Sequence, residues 1–245
     1  MITKRDFHTL FSLVFARHRG ATHAARIENF YGPQASGYDA FRWRILHGRS
    51  ELYQSLPVNA GEVWADFGGG TAQNFESIAQ FVPKLSKVHV FDLSPSLLAV
   101  ARRRAEERGW TNFVLHEADV TSETIAETLK PASCDVTSFS YSLSMIPNWF
   151  LAIERALEVL KPGGVIGVVD FYAARRYPDS PKQVQSWWRR TIFPIWFAFD
   201  NVSINPDYVP YLSERFETIH LEIKRVRLPK TWIYVDYFHF IGRKK

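Results

Sequence analysis

Between position 63 and about position 170 the chain alternates short, continuous apolar runs with stretches in which apolar residues recur every three or four positions. The runs at 62–67, 87–92, 112–116, 134–140 and 164–171 have the length and composition of buried strands, while 74–81, 95–108 and 148–160 carry helical spacing. A proline and two glycines, in Lys161-Pro162-Gly163-Gly164, stop the last helix. Strands alternating with helices predict an α/β fold, a doubly wound and mostly parallel sheet with helices on both faces. Two later runs, 218–228 and 231–242, predict an antiparallel pair at the sheet edge and bring the count to seven strands.

Two segments fall outside this alternation. Phe7, Leu10, Phe11, Val14 and Phe15 recur at helical spacing among His8, Thr9, Ser12, Arg17 and Arg19, so residues 5–18 predict a basic amphipathic helix. Residues 187–199 are dense in aromatics, and Pro194 kinks any helix formed there. Either segment suits lying in a membrane interface, or packing on the core as a lid or dimer contact. The chain therefore divides into an N-terminal cap, 1–59, and a core, 60–245, with an aromatic insertion around 180–210.

With 245 residues, 46% hydrophobic and 22% charged, the chain has the composition of one folded domain. Its single cysteine, Cys134, excludes an internal disulfide and a multi-cysteine metal site, and no metal is expected. No window approaches 18 uninterrupted apolar residues and no signal-like segment opens the chain, so the expected location is cytoplasmic. The net charge of +5 fits ordinary solubility, nucleic acid or an anionic membrane surface. Arg102-Arg103-Arg104 followed by Glu106-Glu107-Arg108 reads as a solvated helix face, and no basic stripe with interleaved aromatics supports nucleic-acid binding.

The candidate chemistry lies at the strand ends. Asp66 closes the first strand, and Gly68, Gly69 and Gly70 let the backbone turn tightly and approach a ligand, with Ala72 just beyond. Asp92 ends the second strand, 26 residues after Asp66, where it can accept hydrogen bonds from ribose hydroxyls. Asp119 and Val120 follow the third strand, within reach of an adenine amino group. The three acids equally suit strand-ending and helix-capping roles. Topology puts Ser140, Tyr141, Ser142 and Ser144, at the exit of the fourth strand, beside an acceptor pocket, where the serines serve either ligand or local turn.

Acidic ends on three successive strands around a glycine turn resemble the Rossmann-like class I S-adenosylmethionine-dependent methyltransferases over roughly residues 60–170. The resemblance implies S-adenosyl-L-methionine as cofactor, with S-adenosyl-L-homocysteine as product, held by Asp66, Gly68, Gly69, Gly70, Asp92, Leu93, Asp119, Val120 and Ser140. Finer blocks are similar to the N-methyltransferases of betaine-lipid synthesis, the BtaB family. These are Phe139-Ser140-Tyr141-Ser142-Leu143-Ser144-Met145-Ile146-Pro147, Val168-Val169-Asp170-Phe171-Tyr172, Asp92-Leu93-Ser94-Pro95-Ser96-Leu97, Tyr38-Asp39-Ala40-Phe41-Arg42 and Leu46-His47-Gly48-Arg49. This similarity implies successive methylation of the amine of diacylglyceryl-homoserine to diacylglyceryl-N,N,N-trimethylhomoserine.

On that reading Arg42 or Arg49 clamps the homoserine carboxylate, unless either holds the cofactor carboxylate or pairs with Asp39 or Glu51. Tyr31, Tyr38 and Tyr141 surround the methylammonium through ring faces and oxygens, or are packing residues. His47 relays the amine proton or is structural. Ser142, Ser144 and Tyr172 complete the acceptor side. The expected partners are a lipid substrate, a peripheral membrane surface and the aminocarboxypropyl transferase of the same pathway. Two other readings stay open: methylation of a soluble amine or quinone-like molecule, and a non-catalytic cofactor-binding subunit.

Overall fold

The computed structural model describes residues 21–32, 45–178, 180, 183–198, 202–227 and 232–245. The expected helix at 5–18, together with Tyr38 and Arg42, lies outside these residues. The described elements are α1 (His23–Tyr31), α2 (Arg49–Ser55), β1 (Val63–Phe67), β2 (Lys87–Asp92), α3 (Pro95–Arg108), β3 (Phe113–Glu117), α4 (Thr124–Thr128), β4 (Cys134–Ser140), α5 (Trp149–Val159), β5 (Leu160–Phe171), α6 (Trp187–Ala198), α7 (Tyr208–Arg215), β6 (Phe216–Arg227) and β7 (Tyr234–Lys244). The strands form one seven-stranded sheet in the order β3-β2-β1-β4-β5-β7-β6. Strands β1 to β5 are parallel, and β7 runs antiparallel to both β5 and β6.

Side-chain alternation along β1 explains why this sheet is buried on both faces. Trp64 packs on one side with Tyr53, Phe75 and Val88, while Ala65 and Phe67 point to the other with Phe139 and Ile153. Register places Phe67 opposite Phe91 on one neighbour and Phe139 on the other, and both rings stack on Phe67 with centroids 5.3 Å away. Each ring is fully buried, a contribution of about 1.5–3 kcal/mol apiece relative to exposure. This clamp fixes the carboxyl ends of β2, β1 and β4 side by side. Strand order reverses between β1 and β4, which opens a crevice there.

Three local expectations change. Residues 74–81 form no α-helix; short 3₁₀ turns occupy Gln73–Ile78 and Val82–Lys84. The buried Phe75 and Ile78 recur every three residues, and Pro83 lacks the amide that would extend an α-helix. Strand β5 starts at Leu160, directly after α5, because a register shift between Cys134 and Val136 leaves Pro162 where a ladder hydrogen bond is not required. Helices α1, α2, α4 and α7 are additional to the pattern. Among the described residues no helix is long and apolar enough to cross a membrane.

Candidate functional site

The crevice between β1 and β4 opens into a cleft floored by Gly68, Gly69 and Gly70. The amides of Gly68 and Gly69 donate to the carbonyl of Phe91, at 2.8 and 3.1 Å, tying the turn to the end of β2. Gly68 takes a φ of 72°, and a Cβ there would stand 2.4 Å from the Cβ of Ser142; one on Gly69 would stand 2.5 Å from Asp66 Oδ2. Ala72 ends the turn with a φ of 55°, so the left-handed conformation forms without a glycine there, at some strain.

Asp66 is not part of the cleft wall. It is fully buried beneath the turn, where Tyr53 Oη and Ser138 Oγ each donate to its Oδ1 at 2.6 Å, and its Oδ2 has no partner among the described residues. Trp64 Nε1 donates to Ser138 Oγ at 2.8 Å and extends the network. The pleat explains the placement: Asp66 shares a face with Trp64 and points under the turn rather than out of the strand end. Burial pushes its carboxyl up to about 6. Its described contacts support the glycine turn from beneath, away from the cleft wall.

Asp92 does line the cleft. Its Oδ2 accepts from the Gly70 amide and its Oδ1 from the Ser94 amide, both at 2.9 Å, so one carboxylate joins the glycine turn to the start of α3. Leu93, Asp119 and Val120 line the same side. Asp119 Oδ1 accepts from the amide and hydroxyl of Thr121, at 2.8 and 2.7 Å, which orients the carboxylate in a local turn.

The serine string separates into three roles. Ser140 lines the cleft, and its buried Oγ has no partner among the described residues. Ser142 also lines it, yet its hydroxyl donates to the Phe67 carbonyl at 2.8 Å and clamps the end of β1 instead of awaiting substrate. Ser144 is 2% exposed and outside the wall; its amide donates to Asp170 Oδ2 at 3.0 Å. Tyr172 likewise lies outside, with its hydroxyl donating to the Gln183 carbonyl at 3.0 Å. The Ser144 carbonyl accepts from the Ser203 amide at 2.7 Å, so the chain beyond β4 is tied to the segment before α7.

Tyr31, Tyr141 and Arg49 all line the cleft. Tyr141 is a left-handed non-glycine residue, φ 53°, whose hydroxyl donates to the His47 carbonyl at 2.8 Å and whose phenol burial pushes well up. That bond leaves the ring, rather than the oxygen, as its ligand-facing feature. Arg49 opens α2, is 7% exposed and sends Nε to the Leu46 carbonyl at 3.2 Å. His47 contributes its carbonyl to this corner, and its imidazole is not among the groups lining the cleft.

Helix α1 supplies a side of the cleft that the pattern of the chain did not announce, through His23, Ile27 and Tyr31. Thr22 caps it, Oγ accepting from the Ala25 amide at 3.1 Å. Glu28 holds it down: Oε2 accepts from Ser94 Oγ at 2.6 Å, and Ser96 Oγ donates to Oε1. A carboxylate at the first turn of α3 also meets that helix's positive end. The available signal was Thr22 before Ile27 and Tyr31 at a spacing of four.

The residues present fit S-adenosylmethionine. Bare glycine backbone floors the cleft, the Ser140 hydroxyl is unsatisfied at its wall, and carboxylates stand at the ends of β2 and β3. Residues 65–164 match the family model described as methyltransferase domain. The chain is 30% identical over 152 residues to the ubiquinone/menaquinone biosynthesis C-methyltransferase UbiE of Hydrogenovibrio crunogenus, covering 60% of this chain and 58% of that one. It is 31% identical over 139 residues to the aklanonic acid methyltransferase DauC of a Streptomyces species, covering 56% and 60%. The chain thus spans less than two thirds of the length of these relatives, which are not betaine-lipid enzymes. The fold matches phosphoethanolamine N-methyltransferase 2 of Haemonchus contortus, crystallised with S-adenosyl-L-methionine, at a TM-score of 0.64 and 16% identity over 89% of this chain and 59% of that one. Residues 65–164 thus carry a methyltransferase domain, and the sheet order and cleft around it are those of a class I S-adenosylmethionine-dependent one.

Proposed function

We propose that this chain methylates the amine of diacylglyceryl-homoserine, giving the N,N,N-trimethyl betaine lipid. The observation that carries the reading is the corner where Arg49 and the ring of Tyr141 line one wall of the cofactor cleft. A buried guanidinium suits the carboxylate of an amino-acid head group, which it grips through a planar fork. Tyrosine ring faces suit a nitrogen that ends as a permanent cation. The bound cofactor supplies an electrophilic sulfonium methyl; the protein's own task is to align the neutral amine, exclude water and let the proton depart. Neither His47 nor a second carboxylate on the Arg49 side is needed for that.

A second reading, transfer to a carbon of a quinone-like acceptor, draws on the names of the sequence relatives. The two separate by product. Incubation with labelled S-adenosylmethionine, diacylglyceryl-homoserine and a demethylated quinone should label the lipid in one, two and three methyl steps. Label confined to the quinone would replace the amine reading, and bound cofactor with no labelled lipid would reject it.

A further inference from the structure

Helix α6 turns its aromatic residues outward. Trp187 is 66% exposed, and Trp188, Ile192, Ile195 and Trp196 are exposed with it; beside them the chain entering β7 presents Trp232, 86% exposed, with Ile233 and Tyr234. An open groove runs between α6 and that strand. The arrangement is built rather than frayed: Arg189 and Asp236, both buried, pair at 2.9 Å, Arg225 Nε reaches the same oxygen at 3.0 Å, and Gln185 Nε2 reaches the other at 2.6 Å. Losing one partner of such a pair strands a buried charge, so α6 is held against β6 and β7.

Charge says what covers this face. Within 183–198, 225–227 and 232–236 stand Arg189, Arg190, Arg225 and Arg227, and Asp236 is the one carboxylate, already neutralised inside. The Arg227 guanidinium lies 4.4 Å from the ring centre of Trp232, the amphipathic pairing suited to a boundary between apolar and wet phases. A second copy would meet the face isologously, arginine against arginine, with no acid but the buried Asp236 among the described residues there. An anionic surface with an apolar interior answers both features. Rings at 4.9, 4.7 and 5.5 Å connect Tyr141 through Phe171 and Phe197 to Trp196, so α6 packs through to the cleft wall.

We propose that α6 and the start of β7 form a docking face for an anionic lipid bilayer, with Trp187, Trp188 and Trp232 among the acyl–headgroup boundary and Arg190, Arg225 and Arg227, the arginines outside the buried pair, at the phosphates. The choice of a membrane rests on the lipid-substrate reading, but its test does not. The full chain is sedimented with vesicles of phosphatidylglycerol and phosphatidylcholine, and with phosphatidylcholine alone, neither containing the substrate lipid. The expected result is binding to the anionic vesicles, weakened by salt and lowered about tenfold or more by W187S/W232S, while methylation of detergent-dispersed diacylglyceryl-homoserine is unchanged. No sedimentation with anionic vesicles, sedimentation indifferent to the double variant, or a dimer that the variant dissolves would each overturn the docking face. Vesicle binding that behaves as expected, with no methylation of dispersed lipid, leaves the face standing and removes the substrate assignment.

Discussion

Gly69 has an Asp66 carboxylate oxygen and a Val90 methyl at 2.5 and 2.7 Å from where a Cβ would sit. Gly69→Ala should therefore displace the turn, costing about 1–3 kcal/mol of stability and weakening cofactor binding in calorimetry. Asp66 beneath it has a pH signature. Burial raises Asp66 and Asp170 to about 6, so their share of stability is full below about pH 4 and is lost as pH rises through 6. Burial lowers His89 and His239 to about 4, so theirs is present above about pH 6.5 and is lost as pH falls towards 4. The two pairs oppose each other, and Asp66→Asn removes one arm: relative to the parent, urea melts should show it about 2 kcal/mol better off at pH 8 than at pH 4.5. Arg49→Lys should raise the acceptor KM with little change in cofactor affinity; a large loss of cofactor affinity instead would move Arg49 to the cofactor. Asp92 and Asp119 were legible as cleft residues because one ends β2 and the other follows β3 in the turn beyond it, whereas strand alternation places Asp66 under the turn, which the sequence pattern alone did not announce.

At the scale of elements, the sheet was readable because buried parallel strands are continuous apolar runs. Helix α1 was not, since it is only nine residues long and draws its place from Glu28 bonding to Ser94 and Ser96 across 66 and 68 residues of chain. Such a latch is a tertiary fact that periodicity does not hold. Glu28→Ala should free α1 from the cleft: its amides exchange hydrogen faster and cofactor affinity falls about tenfold, while the melting temperature of the sheet core moves little. Unchanged exchange in α1 would show that Ile27 and Tyr31, packed on Leu97, hold the helix without the carboxylate.

Across the whole molecule, one sheet carries two surfaces. The switch point between β1 and β4 holds the cofactor cleft, and the antiparallel edge of β7 and β6 carries α6 through the Arg189–Asp236 pair. The insertion was legible by its aromatic density; its partner residues Trp232, Ile233 and Tyr234, more than thirty positions later, were not, because only the fold brings them beside α6. The central claim is that the methyl group goes to the nitrogen of a lipid-borne amino acid. Mass spectrometry of products formed with trideuteromethyl-labelled S-adenosylmethionine and diacylglyceryl-homoserine tests it most directly. One, two and then three labelled methyl groups retained on the headgroup nitrogen are expected; cofactor bound with the headgroup left unlabelled would overturn the lipid-amine assignment.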